Sequence, residues 1–90
     1  TTFFARVKGS SMIGAGINDG DLLIIDKSIT PKSGNIAVCF IDGDFTVKRI
    51  DITKDIIWLI AENKAYPPIK VTADNDFTIW GIVTNVIKYV

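Results

Sequence analysis

The chain has 90 residues, of which 48% are hydrophobic and 22% are charged, a composition typical of a compact fold and not of a disordered or collagen-like chain. A chain of this length buries only about 60–65% of the surface of its unfolded state, so we expect residues 1–90 to form a single domain with one core. Ten Lys and Arg residues balance ten Asp and Glu residues, for a formal net charge of +0. This balance argues against direct, strong nucleic-acid binding by this segment.

The absence of certain residue types excludes several kinds of site. The sequence has no His and one Cys, Cys39. Ser-His-Asp and Cys-His catalytic systems need an imidazole as general base and are therefore excluded. Zinc sites that contain His or four Cys residues are excluded as well, and so is an internal disulfide. We expect no metal and no cofactor, and the free thiol favours a cytoplasmic protein.

The apolar runs at 36–41 and 56–61 are far shorter than the roughly 18–20 residues that span a bilayer. We therefore expect neither a membrane anchor nor a signal peptide in this segment. The first residue is Thr1 and not Met, which we interpret as the mark of a processed or truncated product.

The predicted elements are short strands separated by turn residues. The β-rich segments are 2–7, 22–25, 36–41, 45–50, 56–61, 69–71 and 77–89. Asp42-Gly43 predicts a tight hairpin, and Gly81 predicts a bulge or bend in the last strand. Residues 10–17 resemble a short helical turn with Ser10 or Ser11 as its cap. The pattern predicts an all-β fold, a twisted sandwich or partly closed barrel.

Without His, a hydrolase would need either a carboxylate pair or a Ser or Thr nucleophile activated by Lys. Six Asp residues lie beside turn residues: Asp19, Asp21, Asp42, Asp44, Asp74 and Asp76. This position predicts turn formation and solvation. The segment 74–76 matches part of a calcium loop but lacks the Gly and the distal Glu, so it does not predict a metal site.

Two other segments are candidates for chemistry. In the segment 9–12, a Ser hydroxyl lies at a strand-to-turn corner where backbone N–H groups can form an oxyanion hole, although such a Ser is commonly only a turn or cap residue. In the segment 45–50, alternation puts Thr46, Lys48 and Ile50 on one face of a strand. A desolvated Lys has a lowered pKa and can act as a general base, whereas a solvated Lys would only protect a sheet edge.

Three segments, in this order along the chain, resemble the catalytic domain of the LexA and UmuD family. They are 4–12 with Gly9-Ser10-Ser11-Met12, 19–24 with Gly20-Asp21, and 43–49 with Thr46-Val47-Lys48-Arg49. The resemblance covers nearly the whole chain. It implies a Ser-Lys peptidase in which Ser11 is the nucleophile and Lys48 the general base.

The resemblance also implies an oxyanion hole from the backbone amides of Ser10 and Ser11, with Thr46 orienting the lysine amine. Ser10 departs from the UmuD branch, which commonly carries Asp there, and it supplies a second hydroxyl. The register of Met12 points to Ser11 as the nucleophile. The segments 63–69 and 80–88 resemble the UmuD branch more than the LexA-type repressors, which share much of the pattern.

Members of this family cut a Cys-Gly or Ala-Gly bond in an upstream arm, and the RecA filament stimulates the reaction. Ten residues precede Ser11, so we expect the arm to be absent here, and Ala15-Gly16 lies too close to Ser11 to be that bond. The UmuD resemblance implies a processed form that pairs as a homodimer and joins a Y-family, UmuC-like polymerase for translesion synthesis. We expect Trp58 and Trp80 to pack in the core or, with Tyr89, at the dimer interface.

Three alternatives to a UmuD-like parent follow. In the first, the chain is the dimerisation and self-cleavage domain of a LexA-like or phage repressor. In the second, it is a non-catalytic β interaction module with a vestigial dyad, in which the pKa of Lys48 would be near the reference value of about 10.4. A signal peptidase has a similar dyad but needs membrane attachment, and we rank it last.

Overall fold

The computed structural model describes residues 1–89, which form seven strands and one 3₁₀ helix. Val90, included in the predicted domain, lies outside the described residues. The elements are β1 (Thr2–Arg6), the 3₁₀ helix (Ile13–Ala15), β2 (Leu22–Asp26), β3 (Ile36–Ile41), β4 (Asp44–Thr53), β5 (Ile56–Ile60), β6 (Ile69–Lys70) and β7 (Phe77–Ile87). All neighbouring strands are antiparallel in one continuous sheet of order β1-β2-β7-β3-β4-β5-β6. The predicted all-β class is confirmed.

The β3–β4 connection is the tight hairpin that the sequence predicts. Ile41 pairs with Asp44, and the two residues between them have left-handed backbone, with φ of 48° at Asp42 and 94° at Gly43. This geometry matches the right-handed twist of the two strands. The hairpin fixes the register of β4 and therefore the face on which Lys48 lies.

The helical turn is shorter than expected and is capped differently. Met12 is its N-cap residue, and no side chain donates or accepts a capping hydrogen bond there. The prediction that Ser10 or Ser11 caps this turn is therefore wrong. The helix begins after both serines, and the Ser11 hydroxyl faces Lys48 instead.

Strand β7 is central and irregular, as Gly81 predicts. Its pairing with β3 shifts register between Val38 and Cys39, and its pairing with β2 shifts between Ile24 and Ile25. A Cβ atom at position 81 would collide with Cγ2 of Ile25. Glycine is therefore required where β7 bends over β2.

The buried residues form two clusters and not the one core expected. The first contains Val7, Met12, Ile17, Leu23, Ile25 and Val38, and the second contains Ala37, Cys39, Ile50, Leu59 and Ile82. Successive side chains of β3 point to opposite faces of the sheet, so this strand contributes to both clusters. Trp80 packs against the first cluster, with its ring 4.9 Å from that of Phe3, as predicted; Trp58 is half-buried.

The aspartates divide between turns and one buried position. Asp19 and Asp42 accept backbone N–H groups in loops, as predicted. Asp21 is buried, however, so the prediction of solvation is wrong for it. It pairs with Lys88 and accepts the N–H of Asn18, and these two contacts, the first more than the second, lower its pKa. Across residues 1–89, none of the helical structure is long and apolar enough to cross a membrane.

Candidate active site

Ser11 lies at the corner between β1 and the 3₁₀ helix. The loop before it is held where the Gly9 N–H donates to Oδ1 of Asp19 at 2.7 Å. The residue after it, Met12, is 2% exposed, and its carbonyl accepts N–H groups from Ala15 and Ile17 at 3.0 and 3.2 Å. The buried Met12 anchors the corner, and the half-buried Ser11 side chain is turned toward β4.

Lys48 lies on β4 between β3 and β5, and 7% of it is exposed. Its Nζ lies 3.3 Å from Oγ of Ser11, 2.6 Å from Oγ1 of Thr46 and 3.2 Å from the carbonyl oxygen of Val47. The alternative of a solvated lysine on a sheet edge is therefore wrong. The structure brings Ser11, Lys48 and Thr46 together.

The surroundings of Lys48 make its charged form less favourable than that of an exposed lysine. Among residues 1–89 no carboxylate forms an ion pair with it. Burial lowers the pKa of Lys48, against a smaller opposing effect of Cys39. Burial in turn raises the pKa of the Cys39 thiol to about 11, so the thiol does not act as a counter-ion at neutral pH. A neutral amine beside a hydroxyl can accept its proton.

A cleft of about 200 Å³ opens beside Ser11. Its lining is formed by the apolar residues Ala5, Val7, Met12, Leu23, Val38, Phe45 and Val47 and the polar residues Arg6, Lys8, Ser11 and Thr46. Phe45 is 62% exposed and lies with its ring 6.2 Å from that of Trp80. The cleft can hold a small apolar side chain next to the hydroxyl.

The backbone amides of Ser10 and Ser11 have no hydrogen-bond acceptor among residues 1–89. Ser10 itself is exposed, and its hydroxyl does not reach Lys48 in the described chain. The two serines therefore differ in their side chains: the hydroxyl of Ser11 contacts Lys48, and that of Ser10 does not.

Sequence reasoning missed the residues that hold this corner from the far side. Nδ2 of Asn63 donates to the carbonyl oxygen of Ser10 at 2.8 Å, and the Gly14 N–H donates to the carbonyl oxygen of Glu62 at 2.8 Å. The Glu62 carboxylate accepts Nε–H of Arg49 at 2.6 Å. In the sequence, residues 62 and 63 follow the predicted strand 56–61, and Asn63 begins the segment 63–69 that resembles the UmuD branch, but neither observation indicates a contact with Ser10.

Comparison with known proteins identifies the family. The family model for Peptidase S24-like proteins matches residues 1–84. A LexA repressor 1 from Xanthomonas campestris is 40% identical over 96% of this chain and 43% of its own length, and a LexA repressor from Alcanivorax borkumensis is 44% identical over 97% and 42%. Protein MucA from Salmonella typhimurium is 42% identical over 93% of this chain and 58% of its own length.

The chain belongs to the Peptidase S24-like family, and its relatives include LexA repressors and Protein MucA. The family resemblance read from the sequence is thereby confirmed. The chain spans about half the length of the curated relatives it matches. Repressors and MucA match at about the same identity, so the comparisons show the family and not the branch.

Proposed function

We propose that this chain is a Ser-Lys self-cleaving peptidase domain, with Ser11 as nucleophile and Lys48 as general base. The observation that carries the proposal is the 3.3 Å contact between Nζ of a buried lysine and Oγ of Ser11, made with no carboxylate paired to that lysine among residues 1–89. A charged ammonium could not take a proton from a hydroxyl. Burial makes the neutral form available at a lower pH than for an ordinary lysine.

In the proposed mechanism, the Ser11 oxygen attacks the carbonyl carbon of a peptide bond while its proton passes to Nζ of Lys48. The developing oxyanion accepts hydrogen bonds from the amides of Ser10 and Ser11. Lys48 gives the proton to the leaving amine, and an acyl group remains on Ser11. Lys48 then takes a proton from a water molecule that attacks this ester and gives that proton to the departing Ser11 oxygen, which restores the hydroxyl and the neutral amine; Thr46 holds the amine in place.

The proposed substrate is a Cys-Gly or Ala-Gly bond in a segment upstream of this chain, as the family resemblance implies. The small, apolar cleft beside Ser11 suits a Cys or Ala side chain. Ala15-Gly16 is a poor substrate, because it lies at the end of the 3₁₀ helix with the Gly16 N–H bonded to the carbonyl oxygen of Ile13.

For the parent protein, we propose a UmuD-like mutagenesis protein in which residues 1–90 form one domain. Its cleavage would be stimulated by RecA and would yield a homodimer that serves a UmuC-like translesion polymerase. The segments 63–69 and 80–88 support this branch. The apolar residues at the end of β7 and just after it support pairing of two copies, since Val86, Ile87 and Tyr89 are 36%, 37% and 66% exposed.

The second candidate is the self-cleaving domain of a LexA-like repressor. LexA repressors match this chain at 40% and 44% identity, about the same as Protein MucA at 42%, so this candidate stands beside the first. Both candidates share the dyad and differ in what precedes it. A repressor would carry a DNA-binding helix-turn-helix upstream, whereas a mutagenesis protein would carry a short arm.

The test uses the full-length product of the gene, incubated with and without activated RecA and followed by mass spectrometry. We expect one upstream bond to be cut in the wild type and in the matched control Ser10→Ala. Ser11→Ala and Lys48→Ala should each slow cleavage by at least about 1000-fold, because each removes a member of the catalytic unit. The released fragment separates the parents: a short arm indicates the mutagenesis protein and a DNA-binding domain the repressor.

An inert wild type, or a folded Lys48→Ala protein that cuts as fast as the wild type, would contradict the dyad. The chain would then be an interaction module.

A further inference from the structure

The side chain of Asn63 reaches across the fold to the backbone of the nucleophile corner. Its Nδ2 donates to the carbonyl oxygen of Ser10 at 2.8 Å, although the two residues are 53 positions apart in the chain. Its Oδ1 accepts the N–H of Ala65 at 2.9 Å. Because one end of the amide must accept and the other must donate, these two partners fix which end faces Ser10.

The Ser10 carbonyl belongs to the same rigid unit as the Ser11 amide. In a planar trans peptide, the oxygen of one residue and the N–H of the next point in opposite directions. A group that holds the Ser10 oxygen therefore also sets the direction of the Ser11 N–H. The other N–H bonded to this oxygen, that of Ile13, lies farther away at 3.4 Å.

We propose that Asn63 is a positioning residue that keeps the Ser11 amide aimed at the oxyanion formed on the substrate. This inference rests on the proposed function. Asn63 has no hydrogen bond with Lys48 among residues 1–89 and acts through the Ser10–Ser11 peptide group. Without the hydrogen bond from Asn63, the Ser10–Ser11 peptide group can rotate, and the Ser11 N–H then points away from the oxyanion.

Asn63 can serve this purpose because the residue before it is fixed. The Glu62 carbonyl accepts the N–H of Gly14, and a Cβ atom at position 14 would lie 2.7 Å from that oxygen, so the two backbones touch. The Glu62 N–H faces Sδ of Met12 at 3.4 Å. Its carboxylate is bonded to Arg49, the neighbour of Lys48 on β4. The contacts of Glu62 and Asn63 thus connect the serine corner to β4, the strand that carries Lys48.

The test compares first-order self-cleavage rates of the full-length protein across pH. Asn63→Ala removes the hydrogen bond, while Asn63→Ser keeps an acceptor for the turn at Ala65 but is too short to reach Ser10. We expect both to lower the plateau rate at high pH by about 10- to 100-fold and to leave the pH midpoint unchanged. The plateau reports oxyanion geometry, whereas the midpoint reports the burial of Lys48.

The matched control is Asn35→Ala. Asn35 is half-buried like Asn63, and its Oδ1 also accepts a backbone N–H in a turn, that of Lys32 at 2.8 Å, but it has no contact with the serine corner. We expect its rate to stay within about twofold of wild type, with all rates corrected for the folded fraction.

Two results would overturn the inference while the proposed function stands. In the first, wild type cleaves, Ser11→Ala does not, and both Asn63 variants match wild type. In the second, the variants lose rate only because their pH midpoint moves up toward that of an ordinary lysine, which would mean that Asn63 merely keeps Lys48 buried. An inert wild type would overturn the proposed function and this inference with it.

Discussion

Lys48 and Thr46 are two positions apart on β4, so their side chains lie on the same face of the sheet. The 2.6 Å hydrogen bond from Nζ to the Thr46 hydroxyl is shorter than the contacts of Nζ with Ser11 and Val47. An amine on a four-carbon stem has many rotamers, and this bond selects one that faces Ser11.

Thr46→Val removes the hydroxyl and keeps the shape of the side chain. We expect self-cleavage to slow by about tenfold, because the amine then spends less time within reach of Ser11. The rate is measured by mass spectrometry at a pH above the midpoint. Thr78→Val, at an exposed position on β7, is the control and should cleave normally. If the Thr46→Val protein cleaves as fast as wild type, Thr46 does not orient the amine of Lys48.

At the level of elements, the sequence predicted the features that depend on a few neighbouring residues. Asp42-Gly43 predicted the hairpin, Gly81 predicted the irregularity of β7, and alternation placed Lys48 on a face with Ile50. The contact of Asn63 with Ser10 and the pairing of Asp21 with Lys88 could not be predicted, because the two residues of each pair lie 53 and 67 positions apart in the chain. Those contacts depend on sheet topology, which periodicity does not specify.

The bend of β7 makes a prediction about stability. Gly81→Ala forces a methyl group against Ile25, which is fully buried, and should lower the free energy of unfolding by about 1–3 kcal/mol. Thr78→Ala, on the same strand but exposed, should change it by about 0.5 kcal/mol or less. Urea denaturation measures both. Equal stability of the two variants would show that β7 can shift away from β2 at no cost.

At the scale of the whole molecule, the proposed site is assembled from three distant parts of the chain. The corner after β1 supplies Ser11, β4 supplies Lys48, and the loop after β5 supplies Asn63. The family motifs in the sequence predicted the first two, because nucleophile and base each lie within a recognisable segment. The third part has no such chemical signature, and only the fold brings it to the serine corner.

The central claim is that a neutral Lys48 activates Ser11, and the rate of self-cleavage as a function of pH tests it most directly. The neutral amine is the active form and burial lowers its pKa. The rate should therefore rise with pH to a plateau, and the midpoint of the rise should lie below 10.5, the ordinary pKa of a lysine. Lys48→Ala should show neither the rise nor the plateau. A wild-type rate that is independent of pH, or the same profile in a folded Lys48→Ala protein, would contradict the account.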